Sequence, residues 1–144
     1  MENLQIKLQC NIVTGNPVIH VYNRHSTIRK SFELLSGEQD LTVPLDLSYN
    51  DTIYIQLAGH EHNFTSDEQT TVEIKEILID DINLQHIIQK GKQFPQFDQD
   101  YGLKHNPPEY FQPGTVFYNN AVFEFAIKMP VYKFLLDSYE QDLS

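Results

Sequence analysis

Apolar and polar residues alternate strictly at the start of the chain. The apolar positions are Leu4, Ile6, Leu8, Cys10 and Ile12, and each residue between them is polar. Because successive side chains of a β-strand point to opposite faces, this alternation places all the apolar side chains on one face. The segment therefore predicts a half-buried β-strand, in which the sole cysteine of the chain is a buried, inert thiol.

Further short strands follow, separated by residues that are typical of turns. We predict them at residues 18–22, 28–34, 41–47, 53–57 and 72–79. Short strands at regular spacing indicate a β-sandwich or a barrel. Since most of these strands keep one polar face, two antiparallel sheets packed together fit the pattern better than a barrel does. The predicted fold class is therefore an all-β, antiparallel β-sandwich.

Two local features add detail to this fold. Pro44 lies in the fourth predicted strand, and proline has no amide hydrogen to donate to a ladder, so we expect that strand at the edge of a sheet. Asp80 and Asp81 follow the sixth predicted strand. Because aspartate tolerates turn conformations, we expect a tight turn there and a short return strand at residues 82–84.

The alternation ends after Leu84. Residues 85–112 have little periodicity and contain several glycines and prolines, which predicts a long irregular loop with one helical turn at residues 86–90. A loop of this length inside a compact domain is usually functional or held by a partner. The loop is therefore the first place to look for a binding surface.

The C-terminal part returns to a strand pattern. Residues 115–118 and 121–129 are predicted to form a hairpin across Asn119-Asn120. Pro130 ends the second of these strands, and the spacing of the apolar residues after Val131 suits a short C-terminal helix or an extended tail.

Length and charge exclude several classes of protein. The 144 residues predict one domain over residues 1–144, and 40% of them are hydrophobic, which is enough for a packed core. The formal net charge of −10 repels phosphate, so we expect no nucleic-acid partner. There is no apolar run long enough to predict a membrane span. The N-terminal residues lack the basic and apolar segments of a secretory signal, so we expect none.

Two groups of residues are candidate metal ligands. His60 and His62 share a face if they lie on a strand, although zinc needs three or four ligands and a solvated loop is the alternative. Asp98 and Asp100 match the start of a calcium-binding loop. Leu103 stands where such a loop needs glycine, which excludes an EF-hand and leaves a non-helical calcium site or a solvated acidic loop. We expect no cofactor, with calcium as the alternative.

Aromatic residues crowd the predicted loop and form the candidate binding surface for a protein partner or a glycan. The candidates are Phe94, Phe97, Tyr101, Tyr110 and Phe111. Aromatic rings provide large contact areas with little loss of conformational entropy, and they stack on sugar faces. The alternative is that about half of the loop aromatics cap the core of the sandwich, since apolar loop residues must be buried somewhere.

Signatures of catalysis are missing from the sequence. It contains no Gly-x-Ser-x-Gly, no phosphate-binding glycine loop and no cysteine–histidine pairing in a plausible context. Acidic residues are abundant, but their number does not define a catalytic pair, because the separation of the carboxylates decides. We therefore predict that the protein is not an enzyme.

Three segments carry a resemblance to known domains. Residues 51–59 and 72–81 look like a two-strand unit of small jelly-roll domains that are similar to carbohydrate-binding modules. Residues 122–132 resemble the last strand of small β-sandwich proteins carried by tailed bacteriophages. The resemblance implies a jelly-roll-like sandwich and a virion-structural or glycan-binding role.

Two functions follow as hypotheses. The first is a non-enzymatic structural or interaction protein, a phage virion accessory subunit of the capsid-decoration or tail- and fibre-associated kind. It would dock to other protein subunits of a larger assembly through its proline- and aromatic-rich loop, in the virion or the host cytoplasm. The alternative is a glycan-binding module, assisted by calcium.

Overall fold

The computed structural model describes residues 2–13, 15–25, 29–60, 70–95, 115–117, 120–131 and 133–137. In these ranges the chain forms ten strands and a short helix, α1. They are β1 (Glu2–Asn11), β2 (Gly15–Asn23), β3 (Lys30–Glu33), β4 (Gly37–Leu45), β5 (Asn50–His60), β6 (Thr71–Ile79), β7 (Ile82–Asn83), α1 (Gln85–Ile88), β8 (Lys92–Pro95), β9 (Val116–Phe117) and β10 (Ala121–Lys128). Residues 131 and 133–137 are helical, which is the first of the two alternatives, a short helix or an extended tail, predicted for this segment.

The strands form two antiparallel sheets. In the first sheet β1 lies between β4 and β6, and β6 also pairs with β7 and with β9. In the second sheet the order is β3-β2-β5-β10-β8. The predicted antiparallel β-sandwich is confirmed. No helix among the described residues has the length and apolar character that crossing a lipid bilayer requires.

The core lies between the inner faces of the two sheets. Leu4, Ile6, Leu8 and Cys10 of β1 are all buried, as their alternation predicts. They pack with the inward-facing residues of the second sheet, such as Ile55 of β5. Burial also raises the pKa of the Cys10 thiol above its ordinary value, which keeps the thiol protonated.

The predicted edge position of Pro44 is confirmed, because β4 pairs with β1 alone among the described strands. Pro44 lies opposite Asn3 in the ladder. The amide and carbonyl of Asn3 both bond to Asp80, on the side away from β4. In an antiparallel ladder the partner of such a residue also points away, so the nitrogen of Pro44 faces the open edge.

The turn between β6 and β7 is confirmed, and the predicted hairpin at the C-terminal end is wrong. Asp80 and Asp81 have φ angles of 48° and 68°, the left-handed conformation of a tight hairpin turn. In contrast, β9 pairs with β6 in the first sheet, whereas β10 pairs with β5 and β8 in the second. The chain therefore changes sheets between Phe117 and Ala121, which are buried in different sheets.

The start of the predicted irregular loop is regular structure. α1 lies within it and buries Ile87 and Ile88. Lys92–Pro95 then forms β8, which extends the second sheet beyond β10. Between these two elements Gly91 is buried against Phe123 of β10. A Cβ at this position would overlap the Phe123 ring, with Cε2 at 2.7 Å, and would lie 3.0 Å from the Glu124 carbonyl oxygen.

We predict that Gly91→Ala lowers the free energy of unfolding by about 1–3 kcal/mol, because the added methyl group overpacks the core. Denaturant unfolding measures the change. In a Phe123→Leu background the loss is expected to be smaller, since the shorter side chain leaves room for the methyl group. Wild-type stability of Gly91→Ala would show that the close packing described here is wrong.

Candidate functional site

The outer faces of the two sheets differ in chemistry. In the first sheet the outward positions of β1, β4 and β6 pair residues such as Gln5 with Thr42 and Lys7 with Asp40. Lys7 also forms an ion pair with Glu76 at 3.3 Å. At the outward positions of these three strands no residue is aromatic. This is an ordinary solvated surface.

The outer face of the second sheet carries aromatic rings. Because Ile19, Ile55 and Phe123 face the core, the residues that alternate with them face out. The register then places these outward residues in adjacent rows across the strands. We call the surface the tyrosine face, and its residues are Tyr22 and His20 of β2, Tyr54 and Gln56 of β5, Val122 and Glu124 of β10, and Lys92 and Phe94 of β8.

A stacked pair of tyrosines lies at the centre of the tyrosine face. Tyr22 and Tyr54 are directly opposite each other on β2 and β5. Their ring centroids are 5.0 Å apart and their planes differ by 21°. The Tyr22 hydroxyl donates to Oε1 of Gln56 at 3.2 Å. Cross-strand stacking and this hydrogen bond hold the two half-buried rings in fixed orientations.

Both arginines of the chain contact this pair. The sequence contains only Arg24 and Arg29. Cζ of Arg29 lies 4.3 Å from the centroid of the Tyr22 ring, which is a cation–π contact. Nε of Arg24 donates to the Tyr54 hydroxyl at 3.4 Å. The tyrosine pair is therefore in contact with two guanidinium groups, and both arginines are exposed.

A buried carboxylate fixes the backbone that leads to Arg24. Asp51, at the start of β5, is 5% exposed. Its Oδ1 accepts from the amides of Arg24 at 3.1 Å and Thr52 at 2.8 Å. Its Oδ2 accepts from the Ser48 amide at 3.0 Å and from Nδ2 of Asn23 at 2.8 Å. Four N–H groups thus surround this carboxylate, which makes it unsuitable as a cation ligand.

The same environment sets the ionisation of Asp51. Burial by itself raises the pKa of this carboxyl. The hydrogen bonds from the Ser48 amide, the Asn23 side chain and the Thr52 amide outweigh that effect and lower the pKa below its ordinary value of 3.8. Asp51 is therefore charged at neutral pH, and its charge stabilises the start of the β2–β3 connection.

A second row of side chains continues the tyrosine face across the sheet. His20 lies opposite Gln56, and Nδ1 of His20 is 2.7 Å from Oγ of Ser31. Beyond Gln56 the row continues through Val122 to Phe94 on β8. From β2 to β8 the face spans three strand spacings, or about 14 Å. It therefore offers aromatic surface at two places, with hydrogen-bonding groups between them.

The structure describes few of the residues that the sequence analysis singles out. Phe94 is half-buried on β8, on the tyrosine face and not in a loop. His60 is the last residue of β5, opposite Gly15. The other candidates lie outside the described residues; they are Phe97, Tyr101, Tyr110, Phe111, His62, Asp98 and Asp100. Among the residues that are described, no group of three or more His, Cys, Asp or Glu side chains could hold a metal ion.

The central tyrosines were not predicted as site residues. Tyr22 and Tyr54 occupy the outward positions of two strands whose inward positions are clearly apolar. An aromatic residue at an outward position is the available signal, because polar residues normally fill that face. Their pairing across 32 residues of sequence depends on strand register, which the local pattern does not show.

The chain matches no protein-family model and no curated protein. It is similar to the solved structure of vCBM60, from work that links two families of calcium-dependent carbohydrate-binding modules through circular permutation. The TM-score is 0.59 and the sequence identity is 12%, with 87% of this chain and 90% of that chain covered. This likeness shows the fold, and it confirms the resemblance to carbohydrate-binding modules at the level of the sandwich.

We predict that Asp51→Asn lowers the free energy of unfolding at pH 7 by roughly 1–3 kcal/mol, because one amide oxygen replaces a charged acceptor of four hydrogen bonds. Since the folded-state pKa is lowered, the stabilisation is present above the ordinary pKa and is lost as the pH falls through the folded value. The difference between the variant and the wild type should therefore shrink towards pH 2. Denaturant unfolding at several pH values measures it.

The matched control is Asp40→Asn, which removes an exposed carboxylate on β4. Surface substitutions of this kind change stability by about 0.5 kcal/mol or less. If the free energies of unfolding of Asp51→Asn and the wild type differed by the same amount at every pH, the charge of the carboxylate would not be what stabilises the fold.

Proposed function

We propose that this chain is a non-catalytic glycan-binding module and that the tyrosine face is its binding surface. The observation that carries the proposal is the stacked Tyr22–Tyr54 pair, held on the outer face of a sheet beside Gln56 and Glu124.

A sugar ring has C–H groups on its faces and hydroxyl groups around its edge. A tyrosine ring can pack against the C–H face and remove apolar surface from water. The amide of Gln56 can donate and accept hydrogen bonds, and the carboxylate of Glu124 can accept them from hydroxyl groups. A few placed polar groups beside aromatic surface are the usual composition of a small-molecule site.

The tyrosine face is also organised before a ligand binds. Tyr22 is restrained by Tyr54, by Gln56 and by Arg29. Side chains that are already held in place lose little conformational entropy on association, so more of the contact energy appears as affinity. Because the rings lie on paired strands, their relative position is set by the backbone ladder.

The fold supports the same proposal. vCBM60 comes from work on calcium-dependent carbohydrate-binding modules, and the two sandwiches are alike over most of both chains. Fold alone does not establish function, so the likeness adds weight to a site that is argued from its own residues. It likewise supports a binding role for this chain over a catalytic one.

Calcium assistance is a further part of the proposal. Among the described residues no group of three or more His, Cys, Asp or Glu side chains could hold a metal ion, and the Asp51 carboxylate is surrounded by N–H donors. The described site therefore contributes stacking and hydrogen bonding without a metal. The predicted calcium ligands Asp98 and Asp100 lie outside the described residues. Glycan binding is therefore measured both with calcium and without it.

A virion role stays a prediction. This role depends on a loop surface that docks to other protein subunits. Of the five aromatic residues predicted for that surface, Phe94 is the one whose side chain the structure describes. Phe94 is a strand residue on the tyrosine face. Its position therefore favours the glycan proposal, in which it adds a third aromatic side chain to the binding surface.

We predict that Tyr54→Ala weakens glycan binding by about tenfold or more, equivalent to at least ~1.4 kcal/mol, because it removes the central stacking surface. Binding is first detected on a glycan array, with calcium and with a chelator, and is then measured by calorimetry on the best ligand. Phe94→Ala should weaken it as well, since Phe94 extends the face.

Tyr49→Ala is the matched control, because Tyr49 is 70% exposed and precedes β5, apart from the tyrosine face. It should leave the affinity unchanged. If no glycan bound on the array with calcium or with chelator, the proposal would be wrong. If the Tyr54 and Tyr49 variants lost the same affinity, the tyrosine face would not be the binding site.

A further inference from the structure

We infer that the glycan bound by the tyrosine face is anionic, and that Arg24 and Arg29 receive its carboxylate or sulfate group. The inference rests on the proposed function and specifies its ligand class. It follows from where the chain places its two guanidinium groups.

The placement of the arginines is unusual for the charge of the chain. The chain has 20 acidic and 10 basic residues, and only two of the basic residues are arginines. Both contact the stacked tyrosines, through Arg29 on the Tyr22 ring and Arg24 on the Tyr54 hydroxyl. An acidic protein thus has positive charge next to the aromatic surface that is its best candidate for ligand contact.

The two guanidinium groups retain donors for a ligand. A guanidinium has five N–H donors in a planar fork. Arg24 uses its Nε on the Tyr54 hydroxyl, and Arg29 contacts Tyr22 through its π system. Among the described residues neither arginine forms an ion pair with a carboxylate. The Tyr54 hydroxyl, and to a smaller extent the nearby carboxylates of Glu124 and Asp51, raise the pKa of Arg24. These carboxylates offset part of the charge of Arg24 without forming an ion pair with its guanidinium.

An oxyanion is the group that best matches such donors. Planar N–H pairs bind carboxylates in a bidentate manner, and charge-assisted hydrogen bonds are about twice as strong as neutral ones. A neutral sugar hydroxyl can accept from one of these donors, but it lacks the opposite charge and the paired oxygens of a carboxylate or sulfate. Arg24 reaches the Tyr54 hydroxyl, so a sugar on Tyr54 would bring a charged substituent near this guanidinium, and Arg29 lies against the neighbouring Tyr22 ring.

An acidic and then a basic side chain follow Tyr54 along the same row. Glu124 lies across from Tyr54 on β10, and Lys92 lies across from Glu124 on β8. The Glu124 carboxylate repels an anion and accepts hydrogen bonds from hydroxyl groups. The site therefore offers charged donors at the arginines and a charged acceptor at Glu124, and it favours a sugar whose anionic substituent lies at the arginines and whose hydroxyls lie at Glu124.

The test is a broad glycan array that contains matched pairs. One pair is oligogalacturonate and its carboxyl-reduced form, and another is a sulfated galactan and its desulfated form. We expect the anionic member of a pair to bind about tenfold or more tightly than its neutral counterpart, the range expected for charge-assisted contacts. The pair that shows the larger difference in affinity then identifies the anionic group that the arginines bind as a carboxylate or a sulfate.

The variants separate a ligand contact from a purely structural role. Arg24→Gln and Arg29→Gln should reduce the ratio of anionic to neutral affinity towards one, and Arg29→Lys should restore part of it through its charge. Lys75→Gln is the matched control, because it removes one exposed positive charge from the other sheet. It should leave the ratio unchanged.

The outcomes distinguish this inference from the proposed function. Equal binding of anionic and neutral members, or arginine variants that weaken both equally, overturns the inference and leaves the glycan proposal in place. An array on which neither class binds removes both.

Discussion

The register of β5 is the constraint on which the core and the candidate site both depend. β5 lies between β2 and β10, and its residues alternate between two environments. Ile53, Ile55 and Leu57 are fully buried, whereas Tyr54 and Gln56 face outwards. A slip of one residue would exchange the two sets. Burial of each aliphatic side chain contributes about 1.5–3 kcal/mol, so the core holds the tyrosine face in place.

The parts of the fold that local pattern determines were predictable. The alternation in β1, the edge position of Pro44 and the turn at Asp80 each follow from properties of one residue or one segment. β8 was missed because four residues ending in proline carry too short a pattern to indicate a strand. The hairpin at Asn119-Asn120 was wrong because a turn-forming pair does not determine which sheet each flanking strand joins.

In the candidate site, too, local features were predictable and long-range contacts were not. Phe94 was predicted as a binding residue from the density of aromatic residues around it, and the structure places it on the tyrosine face. The Tyr22–Tyr54 pair and its two arginines required the register between β2 and β5, which is a long-range property. A sandwich can share its fold with vCBM60 at 12% identity, since outward residues can change freely and a core tolerates exchange among hydrophobic residues of similar volume.

Pro44 has a consequence for how copies of the chain can meet. An open edge strand normally presents a row of amide donors, to which the strand of another molecule can add. At Pro44 that row is interrupted, because its nitrogen faces outwards and carries no hydrogen. A second copy could not continue the first sheet past this point without leaving a carbonyl unsatisfied. The same proline that marks β4 as an edge thus protects the protein against growth of that sheet into an intermolecular one.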